Sequence, residues 1–599
     1  MMKLLCACVA TVFSTLALAG HEIGDGGDPV IVMFSSAHKN ASAIMTEVDL
    51  EKAFAEGNLS KDVYDWLAPK RHKMIQDIES QTLVWNGDAA EQSTCARTNI
   101  PNLSETTVRL SLKHCRILLQ SPFGSESLAI ITMIHEATHK NGLTNGQQGP
   151  DGQSPDEIFA DKIANETYKS WIFQKERMKP FFGNLNERSF DFGERIHFGM
   201  AKVSDDEPLS QSEELVIWGG CNLQILPNRA ECSQSLNDGA IYRYDRMDPR
   251  KGTWTSVNPD QSPSGRHQHS IVTTVIQDSS SSQKVKGFIV YGGCSIENGI
   301  CKNSAKSGGF YNMTSQTWQS LPESNQRRHS HSASMGEQSM YIFGGIDSET
   351  GKILAHGEVL TMTSHKPNIN SDAAPDIDFK WEAFNPPFSF KPRYNHFSTW
   401  TGSGLIVFGG CGSKVLGRCS EPLMDGFIWK PKSKDNEESW HYISADTNLT
   451  PRDSMAVTWT GKDLIAWGGI AGSTVFYDGS RLSISGKSHE DQWSSLPRLL
   501  PPDEKGRFEH LASWDGSRQR VLYWGGRTKR DHENKSFAST LLALDLTNTL
   551  DLKWKTIQLD AVPQPSIYGQ LLPTFDKLIV FGGFNSNQTF TNRGYVFFP

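Results

Sequence analysis

One five-residue stretch of the chain, His135 to His139, combines the residue types that zinc chemistry needs. It reads His-Glu-Ala-Thr-His and lies in Ser125–Lys140, where apolar residues recur at helical spacing. Histidines four positions apart lie on one face of a helix, so both imidazoles can reach one Zn²⁺. The carboxylate of Glu136 is placed to accept a proton from water at the metal. The pattern predicts His135 and His139 as zinc ligands and Glu136 as the general base.

A second helix is predicted after this motif, in the segment SPDEIFADKIANETYKSW. It carries Glu157, eighteen residues beyond His139, and Asp161 one helical turn later. The histidine motif followed by E-x-x-x-D resembles the Glu-zincin metallopeptidases. The resemblance implies that Glu157 is the third zinc ligand and that Asp161 supports a ligand histidine, since such carboxylates fix the orientation of the imidazole.

Other interpretations of these residues stay open. Ser154 and Glu157 also match a capping box, with Pro155 at the first helical position, so Glu157 could serve only as a helix cap. That interpretation leaves Asp161 and the histidine motif unexplained. Asp151 and Asp156 are weaker candidates for the third ligand. Tyr168 and His114 are weaker candidates for stabilising the transition state. For the last two, packing or a place at the surface is the simpler interpretation.

The elements that position the motif make up one compact N-terminal domain. Helices are predicted at Thr46–Glu56 and Lys61–Glu79, and alternating apolar residues predict a strand at Thr107–Leu119. We therefore expect a small α+β, zincin-like domain at residues 20–185. Outside the motifs, its resemblance to small exported bacterial zincins is loose.

The remainder of the chain is a repeat. A short apolar run ending in Gly-Gly recurs seven times at spacings of 52 to 73 residues, which fits a propeller blade with variable loops. The runs are VIWGG (Val216–Gly220), IVYGG (Ile289–Gly293), YIFGG (Tyr341–Gly345), IVFGG (Ile406–Gly410), IAWGG (Ile465–Gly469), LYWGG (Leu522–Gly526) and IVFGG (Ile579–Gly583).

Two further features recur in register with the glycines. A tryptophan closes six of the intervals: Trp254, Trp318, Trp381, Trp440, Trp493 and Trp554. An arginine then opens the next strand: Arg266, Arg328, Arg393, Arg452 and Arg507, with a sixth opening near Ser566–Gly569 that has lost its arginine. This pattern resembles the kelch repeat, which implies four-stranded blades with tryptophans filling the space between them.

Seven Gly-Gly marks predict a seven-bladed all-β propeller at residues 186–599, with six blades as the alternative. The last mark is followed by only one more strand, Gly594–Phe598. The missing outer strand of the last blade must then come from elsewhere, and we predict that Ser189–Val203 supplies it and closes the ring.

The repeat also explains histidines that look like metal ligands. His267 with His269, and His329 with His331, form His-x-His pairs. However, the second histidine of each pair shares an Arg-x-x-His position with the equivalent residue of other blades. A position filled in four blades is better explained by packing between blades than by metal binding. Fold alone does not give the propeller a function, so we predict a binding or scaffolding module.

Cysteine usage and the first residues favour export. An apolar run from Leu4 to Ala19 follows Lys3 and predicts a secretory signal peptide over residues 1–19. Two cysteines leave with it, and an even number in an exported chain predicts disulfides. The favoured pairing joins neighbours: Cys95 with Cys115, Cys221 with Cys232, Cys294 with Cys301, and Cys411 with Cys419.

No other segment is long and apolar enough to span a membrane, so no span is expected in the mature chain. The formal net charge of -8 and the pI near 6.2 give no reason to expect nucleic acid as a partner. The sequence leaves periplasm and extracellular space equally open.

Together these patterns predict an exported zinc metallopeptidase that cleaves a protein or peptide substrate and carries a kelch propeller for protein or surface binding. The alternative is a non-enzymatic exported binding or adhesion protein, whose propeller is functional and whose zincin-like part is structural or inactive. An intact Glu136 argues against that alternative, because a purely structural zinc site does not need it.

Overall fold

The structure is a computed structural model, and most of the chain from residue 41 to residue 598 is described below. The described residues are 41–79, 82–86, 96–98, 107–111, 125–141, 143, 155–176, 181–185, 193, 195–203, 212–226, 229–246, 248–277, 284–297, 300–336, 338–365, 376–415, 418–432, 437–446, 448–484, 492–498, 505–529, 536–548, 551–559, 563, 566–574, 577–585 and 593–598. The predicted signal peptide, residues 1–19, lies outside them.

The N-terminal region contains helices in the predicted stretches Thr46–Glu56 and Lys61–Glu79, but residues 48–49 and 68–70 interrupt them. Residues 41–47 are helical, and five further helices follow: α1 (Leu50–Ala55), α2 (Lys61–Leu67), α3 (Arg71–Glu79), α4 (Ser125–Lys140) and α5 (Pro155–Glu176). Asp49 caps α1 by accepting a hydrogen bond from the Lys52 amide. Proline opens α5 at its first position, where its missing amide hydrogen leaves no backbone bond unmade.

A small sheet accompanies these helices. Its central strand, Thr107–Ser111, pairs in parallel with Thr82–Asn86 and antiparallel with Ala96–Thr98. The predicted strand therefore exists, and its continuation to Leu119 lies outside the described residues. A shared apolar core joins the helices, with Met74, Met133 and Ile163 all fully buried.

Seven four-stranded antiparallel sheets follow and form the propeller, which confirms seven blades rather than six. From the innermost to the outermost strand they are blade 1 (Gly199–Val203, Ser212–Trp218, Gly239–Asp245, Gly252–Ser256), blade 2 (Ser270–Gln277, Lys284–Tyr291, Gly308–Asn312, Thr317–Ser320), blade 3 (Ser332–Gly336, Ser339–Phe343, Gly357–His365, Asp376–Phe384), blade 4 (Phe397–Trp400, Leu405–Phe408, Gly426–Lys430, Ser439–Ile443), blade 5 (Ala456–Trp459, Asp463–Trp467, Gly479–Ser483, Gln492–Ser495), blade 6 (Leu511–Asp515, Arg520–Trp524, Leu541–Asp545, Lys553–Ile557) and blade 7 (Gln570–Pro573, Leu578–Phe581, Gly594–Phe598, Phe181–Asn184).

The ring is closed by a strand from before the first blade, as predicted, but the predicted segment was wrong. The outer strand of blade 7 is Phe181–Asn184, which pairs with Gly594–Phe598. The segment Ser189–Val203 instead contributes the innermost strand of blade 1, Gly199–Val203. The closing strand is named the clasp from here on, and it precedes the predicted start of the propeller at residue 186.

Both glycines of every Gly-Gly mark have positive φ, a conformation that other residues rarely adopt. At blade 1 a side chain would also clash, because a Cβ on Gly220 would lie 2.6 Å from the Ile196 carbonyl oxygen. The recurring glycines therefore turn the chain sharply where the second strand of each blade ends.

Each blade packs against the one before it through an aromatic side chain on its outer strand. Trp318 of blade 2 meets Trp218 of blade 1 at 5.8 Å between ring centroids, and Trp554 of blade 6 meets Trp467 of blade 5 at 5.0 Å. In blade 7 the clasp supplies Phe182, which lies 5.1 Å from Trp524 of blade 6. The predicted role of the tryptophans between blades is thus confirmed.

Three of the four predicted disulfides are present: Cys221–Cys232, Cys294–Cys301 and Cys411–Cys419. The predicted partners Cys95 and Cys115 lie outside the described residues. Among the helices that the structure describes, none combines the length and the apolar character needed to cross a bilayer.

Candidate functional site

Two adjacent helices bring the predicted catalytic residues together. α4 carries His135, Glu136 and His139, and α5 carries Asp161. The face of α4 that packs into the core contains Ile130, Met133 and Ala137, which are almost fully buried. Because an α-helix repeats every 3.6 residues, burying this stripe fixes the direction of the neighbouring histidines.

The two histidine rings converge. The Nε2 atoms of His135 and His139 lie 2.9 Å apart, and the ring planes are inclined by 71°. A tetrahedral zinc ion with Zn–N bonds of about 2.0–2.1 Å holds its nitrogens about 3.3 Å apart. A small outward movement of the two rings therefore gives the spacing that a shared zinc ion needs.

The other ring nitrogens are already engaged. His135 Nδ1 lies 2.9 Å from Asp161 Oδ1, and His139 Nδ1 lies 3.2 Å from the Leu143 carbonyl oxygen. A carbonyl oxygen and an ionised carboxylate only accept hydrogen bonds, so both Nδ1 atoms donate. In the neutral rings both Nε2 atoms then carry lone pairs directed at each other. Both Nε2 atoms are then available to bind a metal ion.

The carboxylates complete part of the predicted constellation. Glu136 is buried, with 6% of its surface exposed, beside the two histidines. The Asp161 carboxylate contacts His135 from the next helix, and its predicted role as the support of a zinc ligand stays a prediction. Glu157 lies in the first turn of α5, but its side chain is outside the structure's description. Its predicted role as third ligand stays a prediction.

Of the four weaker candidates, Tyr168 is the one whose side chain the structure describes. Tyr168 is buried in the core of the N-terminal region, and its hydroxyl donates to the Ser517 carbonyl oxygen of the propeller at 3.5 Å. The side chain of Asp156, together with all of Asp151 and His114, lies outside the described residues. The carbonyl that orients His139 could not be found from sequence, because every residue carries one.

The recurring propeller histidines have the structural role that their repetition predicts. His269, His331, His396 and His510 are enclosed between blades, each with its ring edge-on against an aromatic residue of the preceding blade. Burial lowers the pKa of His269, His396 and His510 to about 3, so they are neutral at pH 7.

His267 lies near two cysteines, with its ring nitrogens 3.6 and 3.8 Å from Cys294 Sγ. Ligand atoms of His267, Cys294 and Cys301 are mutually within 4.8 Å. The two sulfurs are joined in a disulfide, however, and a disulfide sulfur is not a thiolate ligand. This cluster is therefore not a metal centre in the oxidised protein.

A second group of residues surrounds the mouth of the propeller's central channel. Two residues before the innermost strand of each blade, a non-glycine residue lies in the left-handed region, with φ between 50° and 58°. These residues are called the mouth ring: His197, Gln268, Ser330, Asn395, Ser454, Glu509 and Tyr568. Several are linked by backbone bonds around the ring, such as Ser330 N to Gln268 O and Asn395 N to Ser330 O, both at 3.0 Å.

The mouth ring lines a cavity of about 790 Å³. Polar side chains surround it, and Lys414 and Arg418 reach it from a disulfide-closed hairpin of blade 4. Tyr568 is 37% exposed and lies 5.0 Å from the ring of His197. Because the mouth ring surrounds a cavity and presents an exposed tyrosine, it is a candidate binding surface.

Sequence analysis missed the first of the arginines that open the blades. Arg195 opens blade 1 as Arg266 opens blade 2, and both are buried and donate to the carbonyl of the first glycine of a Gly-Gly mark, at 3.0 Å. The signal was the segment Arg-Ile-His-Phe, which matches the other openings except that phenylalanine replaces the final histidine. His197 of the mouth ring lies within it.

No protein-family model matches the chain. Among curated proteins it is similar to Adagio protein 3 of Arabidopsis thaliana, with 26% identity over 212 residues. That match covers 34% of this chain and 32% of the plant protein, so the chain spans about a third of the length of this relative. The propeller fold suggests protein binding, but fold alone does not identify the partner.

Proposed function

We propose that this protein is an exported zinc metallopeptidase whose propeller binds protein. The observation that carries the proposal is the convergence of two histidine Nε2 atoms, each on a ring whose Nδ1 atom already donates a hydrogen bond. A second supporting observation is the buried Glu136 on the same helix.

The donor set suits Zn²⁺, which prefers imidazole nitrogens with a carboxylate as third ligand. His135 and His139 would hold the ion, and Glu157 would complete the set. When bound, zinc lowers the pKa of coordinated water and polarises a carbonyl group.

The residues of the chain perform the remaining steps. Glu136 accepts a proton from the attacking water and passes it to the leaving amine of the cleaved peptide bond. Asp161 keeps His135 in the tautomer whose Nε2 can bind a metal, and the Leu143 carbonyl does the same for His139. Burial of Glu136 keeps bulk water away from this proton transfer.

Metal content tests the proposal. The mature protein and its His139→Ala variant are purified without chelators, and zinc is measured by elemental analysis. We expect about one zinc per chain in the wild type and a loss of that zinc in the variant. A wild-type protein without zinc would refute the proposal.

The propeller alone is the second candidate, in which the protein binds another protein without cleaving it. The mouth ring and its cavity favour this function, because they present many polar groups and an exposed tyrosine at one opening. The same measurement separates the two functions, since a zinc-free wild type leaves the propeller as the functional part.

A further inference from the structure

One helix connects the candidate metal site to the closure of the propeller. α5 carries Asp161, whose carboxylate binds His135, and ends at Glu176. The clasp begins at Phe181, only five residues later. The clasp and the helix that supports His135 are therefore close neighbours along the chain.

α5 also touches the propeller directly. The Tyr168 hydroxyl lies 3.5 Å from the Ser517 carbonyl oxygen, in the turn between the first two strands of blade 6. Asp161 and Tyr168 are seven residues apart, so they share a face of α5 and lie about 10 Å apart along its axis. Arg518 in the same turn is 7% exposed, so this turn is covered rather than open to solvent.

On its other side, α5 is attached to the N-terminal helices. Glu166 accepts hydrogen bonds from the Ser60 amide at 2.9 Å and from its hydroxyl at 2.6 Å. Ser170 Oγ donates to the Asn58 carbonyl oxygen at 3.2 Å. The helix is thus held on one side by its own domain and on the other by blade 6.

The clasp is firmly built into blade 7. Its register pairs Phe182 with Phe597, and the Leu185 amide continues the ladder by donating to the Gly594 carbonyl oxygen at 2.9 Å. Phe182 packs between Trp524 of blade 6 and Phe597 of blade 7, at 5.1 and 5.3 Å. This end of the connection is fixed whenever the ring is closed.

We infer that the propeller positions α5 for the metal site, with the clasp and Tyr168 as positioning residues, so that zinc binds most tightly when the ring is closed. The inference rests on the proposed function and deepens it. Because coupling between two sites is reciprocal, zinc binding also stabilises the closed ring. The propeller is then part of the scaffold of the candidate peptidase site.

The test compares two substitutions that weaken the propeller at different places, in the full-length mature protein. Phe182→Ala weakens the clasp, whereas Phe408→Ala removes a buried side chain from blade 4. Zinc affinity is measured by competition with a chromogenic chelator, and the absorption spectrum of cobalt-substituted protein reports the geometry at the metal. Phe182→Leu and Tyr168→Phe are milder variants that serve if Phe182→Ala does not fold.

We expect Phe182→Ala to weaken zinc binding by about 5-fold or more and to change the cobalt spectrum, a range typical of coupled sites. Phe408→Ala should leave both unchanged, although it also lowers the thermal midpoint. An unchanged zinc affinity and cobalt spectrum in the folded clasp variants would overturn the inference.

A metal-free measurement keeps the two proposals distinguishable. Hydrogen exchange of the α5 amides should accelerate in Phe182→Ala and stay unchanged in Phe408→Ala. If the wild type binds no zinc but this exchange pattern holds, the peptidase proposal fails while the coupling of α5 to the clasp stands. Equal exchange in both variants refutes the coupling whether or not zinc binds.

Discussion

Histidine has opposite roles in the two parts of this chain. In the N-terminal region, two histidines turn their Nε2 atoms toward each other at 2.9 Å. In the propeller, histidines at one repeated position are sealed between blades, where burial lowers the pKa of His510 to about 3. The same side chain supports a candidate metal centre in one region and packing in the other.

The difference teaches how to separate chemistry from architecture in a repeat protein. A residue that recurs in register across blades answers a need that every blade shares, such as filling the space beside a Gly-Gly turn. The pair His135 and His139 occurs once, next to a buried carboxylate, and two further groups hold its rings in place. Chemistry is expected at a group of residues that occurs once in the chain and whose side chains are held in place by other residues.

The largest effect should come from Glu136→Gln. This change removes the proton acceptor but keeps the shape and the two histidines, so hydrolysis of an unstructured protein substrate should fall by about 10²–10⁴-fold. Zinc content is the control and should stay at the wild-type value. Unchanged hydrolysis would remove Glu136 from the proposed mechanism.

A smaller effect is expected from Asp161→Asn, which weakens the support of His135. Zinc affinity should fall by about 10–100-fold, measured by chelator competition. Asp62→Asn is the matched control, because Asp62 binds Lys162 of the same helix rather than a histidine. Equal zinc affinities in the two variants would contradict the role of Asp161.

The propeller side of the comparison predicts a pH effect of defined sign. The pKa of His396 is lowered to about 3 by burial, whereas an unfolded histidine titrates near pH 6.5. The unfolded chain therefore binds more protons between these values, so stability is full above pH 6.5 and decreases as the pH falls toward 3.

His396→Gln should reduce this dependence. Between pH 4 and 6 the slope of the unfolding free energy with pH should decrease by about 1.4 kcal/mol per pH unit, measured by denaturant titration. The control is His441→Gln on the outer strand of blade 4, a histidine that is only partly buried. A pH slope that His396→Gln leaves at the wild-type value would show that His396 does not titrate on unfolding.

The smallest effect concerns the mouth ring. Ser454 has a φ of 54°, which glycine adopts without strain, so Ser454→Gly should leave the unfolding free energy within about 1 kcal/mol or raise it. Ser495→Gly, on the outer strand of the same blade, should cost about 0.5–1 kcal/mol instead. A larger loss at Ser454 than at Ser495 would mean that the ring backbone is not strained.

Much of the fold was predictable because its signals are local and repeated. The Gly-Gly marks, the tryptophans and the cysteine neighbours each depend on residues close in sequence, and they gave seven blades and three disulfides. The bounds of α4 were predicted as Ser125–Lys140 and observed as such, since an apolar stripe marks the whole helix.

The features that the sequence did not predict depend on contacts between residues that are far apart in the chain. The clasp is four residues long, and nothing in Phe181–Asn184 distinguishes it from other short apolar segments until Gly594–Phe598 is beside it. The contact of Tyr168 with Ser517 likewise joins residues that only the folded chain brings together. The contact of Asp161 with a histidine of the motif was suggested by the resemblance to the Glu-zincins, which did not specify which of the two histidines it supports.

The clasp also sets an order of events. It joins residues about 410 positions apart in the chain, so the ring cannot close until synthesis has passed the last strand of blade 7. Forming a pair at such a separation is slow compared with the hairpins inside each blade. A chain cut short before that strand would have six complete blades and one unpaired clasp. We therefore expect the clasp to pair with Gly594–Phe598 last, after the hairpins of the other blades have formed.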